Sequence, residues 1–204
     1  MAKDFGELAT EESINKTKDA LIKNGIEVFV VENGEQAKAK ALEMIPAGAE
    51  IMNMSSVTVD SIGLAKEIND FGRYNSVRKK FATMDAKTQG QDMKRLGATP
   101  EWAVGSVHAV TEDGKVVIVS ATGSQLPAYA YGSSHVLWVV GTQKIVKDIK
   151  EAFDRVSEYV LPLESARAMK AYGQPSSVNK ELVVNKEVTP GRITMILVKE
   201  KLGF

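Results

Sequence analysis

Ala49-Glu50-Ile51-Met52-Asn53-Met54-Ser55-Ser56-Val57-Thr58 joins a short apolar run to two hydroxyl residues, and the next segment carries Ile62, Leu64, Ile68 and Phe71 along one side. Strand, small-residue loop, helix is the order of a parallel crossover, since two parallel strands need a long connection between them. Just upstream the same order appears once already. Ile26 to Val31 is β-branched and aromatic, which suits a buried strand, and Gly34 to Met44 reads as a helix that stops before Pro46. Ahead of that run, Thr10 with Glu11 and Glu12 reads as a capped helix start, and Asn24-Gly25 as its end. The chain is therefore expected to be α/β with a mostly parallel sheet.

Downstream the pattern changes. Arg78 to Leu96 reads as one helical stretch closed by Gly97 and Pro100. Trp102 to Val110 and Lys115 to Ser120 are extended runs flanking Glu112-Asp113-Gly114, and Asp-Gly between such runs marks a β-hairpin. A breaker-rich loop, Ala121 to Pro127, follows. Ser133-Ser134-His135 then leads into the strand Val136 to Val140. Thr142 is expected to cap a long helix with Ile145, Ile149, Ala152, Val156 and Val160 on one face, which Pro162 interrupts before a second short helix through Ala171. Leu182 to Val184 and Ile193 to Val198 are read as two strands joined across Thr189-Pro190-Gly191. With no long linker and no repeat beyond the βα alternation, one domain over residues 1–204 is the expectation.

Composition excludes several chemistries. None of the 204 residues is cysteine, so disulfides, thiolate metal sites, iron–sulfur ligation and cysteine nucleophiles are unavailable. The 26 basic side chains balance 26 acidic ones, which gives no general attraction to nucleic acid or to an anionic membrane. No apolar run approaches the length of a spanning helix, and the first residues have no secretory pattern, so a cytoplasmic location is expected.

Loops after parallel strands face the carboxyl edge of a sheet, where α/β proteins take ligands. Two have suitable composition. Ser55 and Ser56 offer hydroxyls at a helix start, suited to a phosphate or carboxylate, although an ordinary N-cap explains them as well. Thr122, Gly123, Ser124 and Gln125 offer hydroxyls, an amide and a glycine that lets a ligand approach the backbone, with a plain turn as the bland alternative. His108 and Glu112 are the candidates for proton handling, and His135 is the only other histidine. Two histidines without a third ligand make no metal site, so no metal and no cofactor are expected. Neither dinucleotide nor P-loop glycine motifs occur, and G-x-S-x-G is missing. Arg73, Arg78, Lys79 and Lys80 form a modest basic cluster with anion contact as a minor role.

The run Gly105-Ser-Val-His-Ala-Val-Thr-Glu-Asp-Gly-Lys-Val-Val-Ile-Val-Ser120 resembles the central segment of LUD-domain proteins, the lactate-utilisation family. The Gly123-Ser-Gln loop, the strand from His135 to Val140 and the closing Pro190-Gly-Arg-Ile-Thr-Met-Ile-Leu-Val198 fit as well. The resemblance implies an open three-layer α/β/α sandwich of the kind shared with ribose-5-phosphate isomerase, glucosamine-6-phosphate deaminase and CoA-transferases. It also implies anionic substrates at strand-end loops, and a place in lactate oxidation beside iron–sulfur partner subunits. Gly173-Gln-Pro-Ser-Ser-Val-Asn-Lys-Glu181 departs from the family's Gly-Pro-Ser-x-Thr-Ala-Asp-Ile-Glu, which suggests a stand-alone branch. The functional expectation is thus a protein that binds, and as an enzyme transforms, a small anionic metabolite such as a hydroxy acid or sugar phosphate. The alternatives are a ligand-sensing module without turnover and a partner subunit, with a homo-oligomer also open.

Overall fold

The computed structural model describes residues 3–204. The first crossover is as expected. Helix α1 (Glu11–Lys23) is capped by the Thr10 hydroxyl and leads into β1 (Glu27–Val31), α2 (Gly34–Met44) and β2 (Glu50–Asn53). Two short helices, α3 (Val57–Ser61) and α4 (Leu64–Asp70), precede β3 (Asn75–Ser76). The stretch read as one helix from Arg78 to Leu96 is two, α5 (Val77–Ala82) and α6 (Ala86–Ala98). The Asp85 side chain caps the second by accepting from Lys87 N–H, which starts a new helix where one was expected to continue.

Strands β4 (Trp102–Gly105), β7 (His135–Gly141) and β10 (Ile193–Val198) complete a parallel sheet in the order β1-β10-β7-β4-β2-β3. Both faces of its centre are covered. Leu137, Val139, Ile196 and Val198 pack under α2, α3 and α4, while Val136, Trp138, Met195 and Leu197 face the opposite way, toward α1. That is why β7 and β10 read as unbroken apolar runs. Each fully buried aliphatic side chain contributes roughly 1.5–3 kcal/mol.

The hairpin lies outside this sheet. Strands β5 (Ala109–Thr111) and β6 (Val116–Ser120) pair antiparallel, and β8 (Ile145–Val146) and β9 (Lys180–Val184) flank them in a second, four-stranded sheet. One face of that sheet, with Val110, Val116 and Ile118, joins the core under β7 and β10. The other face, with Ala109, Val117 and Val119, lies under α7 (Ile149–Arg155).

Two expectations fail here, both through non-local pairing. Ile145 and Val146 form a strand beside Val110 and Thr111, where β-branched residues pack well, and the helix begins only at Ile149 behind the Asp148 cap. A π-helical turn at Val156–Val160 then joins α7 to α8 (Leu161–Tyr172), with Pro162 in the first turn of α8, where its missing N–H is not needed. Likewise β9 and β10 do not pair with each other; they belong to different sheets. Among the described residues no helix is long and apolar enough to cross a membrane.

Two strands leave the large sheet for the small one. Chain leaving β4 crosses at Ser106–His108 into β5, and chain leaving β7 crosses at Thr142–Lys144, a 3₁₀ turn, into β8. Both pairs, β4 with β7 and β5 with β8, are parallel. Glycine precedes each crossing because no other residue fits. A Cβ at Gly105 would lie 1.9 Å from the Tyr129 hydroxyl, and one at Gly141 would lie 2.6 Å from the Glu200 carbonyl.

Candidate functional site

A cleft of about 1060 Å³ opens where these crossings meet the carboxyl ends of β2, β3 and β4. Strands β2 and β4 are neighbours, yet the next strand of this sheet after β2 is β3, on the outer side, while the next after β4 is β7, toward the centre. A crevice at such a reversal of strand order is where open α/β sheets take ligands. Ser55, Ser56, His108 and all of Thr122–Gln125 line this one cleft, so residues far apart in the chain come together. Glu112 does not. It accepts from Ser13 Oγ (2.8 Å) and Lys16 Nζ (2.7 Å) on the far side of the hairpin, and the Lys16 contact holds its carboxyl below the usual range. His135 lies at the amino end of β7, at the opposite sheet edge, stacked on Trp102 at 4.4 Å.

Most polar groups of the two loops are already engaged. Ser56 caps α3 by accepting from Val59 N–H at 3.4 Å, and Ser55 Oγ accepts from Arg78 Nη2 at 3.0 Å. In the other loop, Gly123 has φ +83°, a conformation that favours glycine. Its N–H donates to Ser120 Oγ, Gln125 Nε2 donates to the Val119 carbonyl, and Thr122 Oγ1 accepts from Ser124 N–H. The start of β9 fastens the loop from outside, with Lys180 Nζ donating to the Thr122 carbonyl at 2.6 Å. Ser124 is exposed on the rim.

His108 is partly buried, and Val119 N–H donates to its Nδ1 at 3.1 Å. The proton of the neutral ring therefore sits on Nε2. Burial, with the positive charges of Lys144 and Arg155, pushes His108 down to about 3. At neutral pH it offers a hydrogen bond and does not take up a proton.

Lys144 was not singled out by sequence reasoning. It lines the cleft, yet only 2% of it is exposed. Its Nζ donates to Thr58 Oγ1 (3.0 Å), Ser106 Oγ (3.1 Å) and the Val107 carbonyl (3.1 Å), which ties the two crossings to each other and to the first turn of α3. All three partners are neutral oxygens. Burial, with Arg155 nearby, lowers Lys144 to about 7. Behind His108, the fully buried Arg155 donates to the His108 carbonyl and lies 5.2 Å over the Tyr159 ring. Among the described residues its Nε and Nη2 have no partner, and burial lowers it to about 10. The sequence signal for Lys144 is a lysine inside the apolar run from Val136 to Val146, three residues after a β7 that ends in glycine.

Arg78 adds a second cation on the wall, its Nε donating to the Asn53 carbonyl at 2.7 Å. Burial lowers it, with Asp60 opposing, while burial also raises Asp60. Four basic side chains, Arg78, Lys94, Lys144 and Arg167, line the cleft against Asp60 and Glu164, and Glu164 is taken by Arg167 at 2.6 Å. A chain with balanced charge thus has a positive cleft. Among the described residues no group of histidine, cysteine and carboxylate side chains is arranged to hold a metal.

No curated protein matches the chain. A crystal structure of a DUF162 family protein from Deinococcus radiodurans is similar over 94% of this chain and 99% of its own, with 14% identity and a TM-score of 0.56, which shows a shared fold. The structure of eIF2B beta from Chaetomium thermophilum aligns over 69% of this chain and 46% of its own at 11% identity, but its TM-score of 0.32 carries no argument. The family model for the LUD domain matches residues 14–198, from within α1 to the last residue of β10, and the chain belongs to that family.

Proposed function

We propose that this LUD-domain chain binds a small anionic metabolite, of hydroxy-acid or sugar-phosphate size, in the cleft at the carboxyl ends of β2 and β4, and acts on it there. The observation that carries this reading is Lys144, an amine buried on the cleft wall whose bonding partners are all neutral. A buried cation without a counter-charge is costly unless an anion joins it. Arg78 and the Nε2–H of His108 supply further donors on the same wall. Preorganised donors in a sheltered site bind anionic groups far better than exposed ones.

Proton handling then moves from the residues expected to perform it. Glu112 lies away from the cleft and His108 stays neutral, whereas Lys144 titrates near neutrality, as suits a general acid or base. The resemblance to lactate-utilisation proteins and the cysteine-free composition favour a metabolite of a reducing, cytoplasmic compartment, with hydroxy acids the first to test.

Isothermal titration with phosphate, oxalate and glycolate tests the reading. At least one anion is expected to bind with a stoichiometry of one, and Arg78→Gln to weaken it about tenfold, as loss of one charge-assisted hydrogen bond would. No heat from any of the three in the wild-type protein would overturn it.

A further inference from the structure

Lys144 has a placement that anion binding alone does not require. A brace between the two crossings needs only hydrogen-bond donors, and a neutral amide would serve without desolvating a charge. The chain instead puts a primary amine there, beside a second buried cation and, among the described residues, with no acid bonded to it. Burial next to another cation is how a lysine amine is kept unprotonated and nucleophilic. Its surroundings suit attack on a carbonyl group. The Ser106 hydroxyl touches Nζ at 3.1 Å, and His108, two residues along the same crossing, has Nε2–H as its donor.

We propose that Lys144 is a nucleophilic amine that forms a protonated imine with the carbonyl carbon of a small anionic aldehyde or ketone bound in this cleft. The proposal rests on the anion-site reading and adds a substrate class to it. The Nζ lone pair forms the new bond to carbon, and the carbonyl π pair moves to oxygen, which takes a proton from the nitrogen to give a carbinolamine. One further proton from solvent lets that oxygen leave as water, and the C=N bond forms with its positive charge on nitrogen. Amine, carbonyl and one proton become iminium and water. Nothing is oxidised or reduced. Arg78 holds the anionic end, and the His108 Nε2–H hydrogen-bonds the oxygen while it carries negative charge. Burial, with Arg155 nearby, lowers Lys144 to about 7, so free amine is present at neutral pH.

The test is reductive trapping with cyanoborohydride at pH 7, in two arms, followed by peptide mapping and a melting curve of each sample. One arm uses 2-oxobutanoate, an oxo acid, and the other dihydroxyacetone phosphate, a phosphorylated ketone. In at least one arm Lys144 is expected to carry the reduced adduct at a level at least tenfold above any other lysine. The arm that labels identifies the class. Lys144→Arg keeps a cation but is expected to remove the adduct, and the wild-type peptide map decides the matter even if that variant does not fold. Adducts on other lysines with Lys144 unmodified would overturn the imine. If the probe still raises the melting temperature in that sample, the anion site stands without it. If neither adduct nor stabilisation is seen, both readings fall.

Discussion

The loop Thr122–Gln125 and Lys144, at the end of the crossing Thr142–Lys144, line the same cleft but reached it by opposite routes. The loop advertises itself in composition, with two hydroxyls, an amide and a glycine in four residues. In the structure most of those groups hold the turn together. The crossing looks like the continuation of an apolar strand, yet it delivers a buried amine whose bonding partners among the described residues are all neutral. Polar composition marks where a chain turns. What a site can do depends on which polar groups are stripped of water and left without an ionic partner, and only packing decides that.

The largest expected consequence is in stability against pH. Lys144 falls from the ordinary lysine value of 10.5 to about 7 on folding. Between those values the unfolded chain binds a proton that the folded chain does not, so stability rises with pH from about 7 to about 10.5. The limit is about 4–5 kcal/mol for a fully buried amine. Urea denaturation midpoints between pH 7 and 10 should climb accordingly, and Lys144→Met should flatten the climb. His108, pushed down to about 3, works in the same direction over a lower window, with its stabilising effect complete above about 6.5 and lost as pH falls toward 3.

Next in size is Gly105→Ala, which forces a Cβ onto the Tyr129 hydroxyl at the head of the other crossing. A loss of about 1–3 kcal/mol is expected from overpacking, read from the same denaturation curves. Gly123→Ala in the loop strains a turn with positive φ and should cost only about 1 kcal/mol. Equal losses at the two positions would erase the contrast between the crossings and the loop.

Ligand binding should separate them again. Lys144→Met is expected to weaken the tightest of the test anions by about 30-fold, near 2 kcal/mol, as loss of a buried charged hydrogen bond would. Ser124→Ala on the rim should change affinity by less than about twofold. Glu112→Gln, outside the cleft and in a surface pair with Lys16, should cost under about 1 kcal/mol of stability and leave binding alone. A binding defect from Ser124→Ala larger than that from Lys144→Met would put the recognition surface back in the loop.

How much of this was legible in the sequence follows the same division. The alternation from Ile26 through Ile68, the Asp113-Gly114 turn and the buried strands β7 and β10 could be read from local periodicity and turn chemistry, whereas Phe71, expected on the inner side, is exposed and its helix breaks in two at Gly63. The meeting of Ser55, Ser56, His108 and Thr122–Gln125 in one cleft followed from placing loops after strands. Sheet membership could not be read locally, because Ile145 and Val146 suit a helix face as well as a strand until Val110 and Thr111 lie beside them. Lys144 was missed for that reason. A helix from Thr142 puts it in solvent, whereas a strand crossing puts it in the core. Glu112 was over-weighted because a turn carboxylate looks available until Lys16 and Ser13 are seen beside it.

The most direct test is a titration of the Lys144 amine itself, followed by NMR on protein carrying carbon-13 at the lysine ε position and assigned with Lys144→Arg. The account predicts a midpoint near 7 in the free protein and an upward displacement of at least one unit when phosphate or oxalate fills the cleft. A midpoint near 10 in the free protein, or one near 7 that no anion moves, would contradict it.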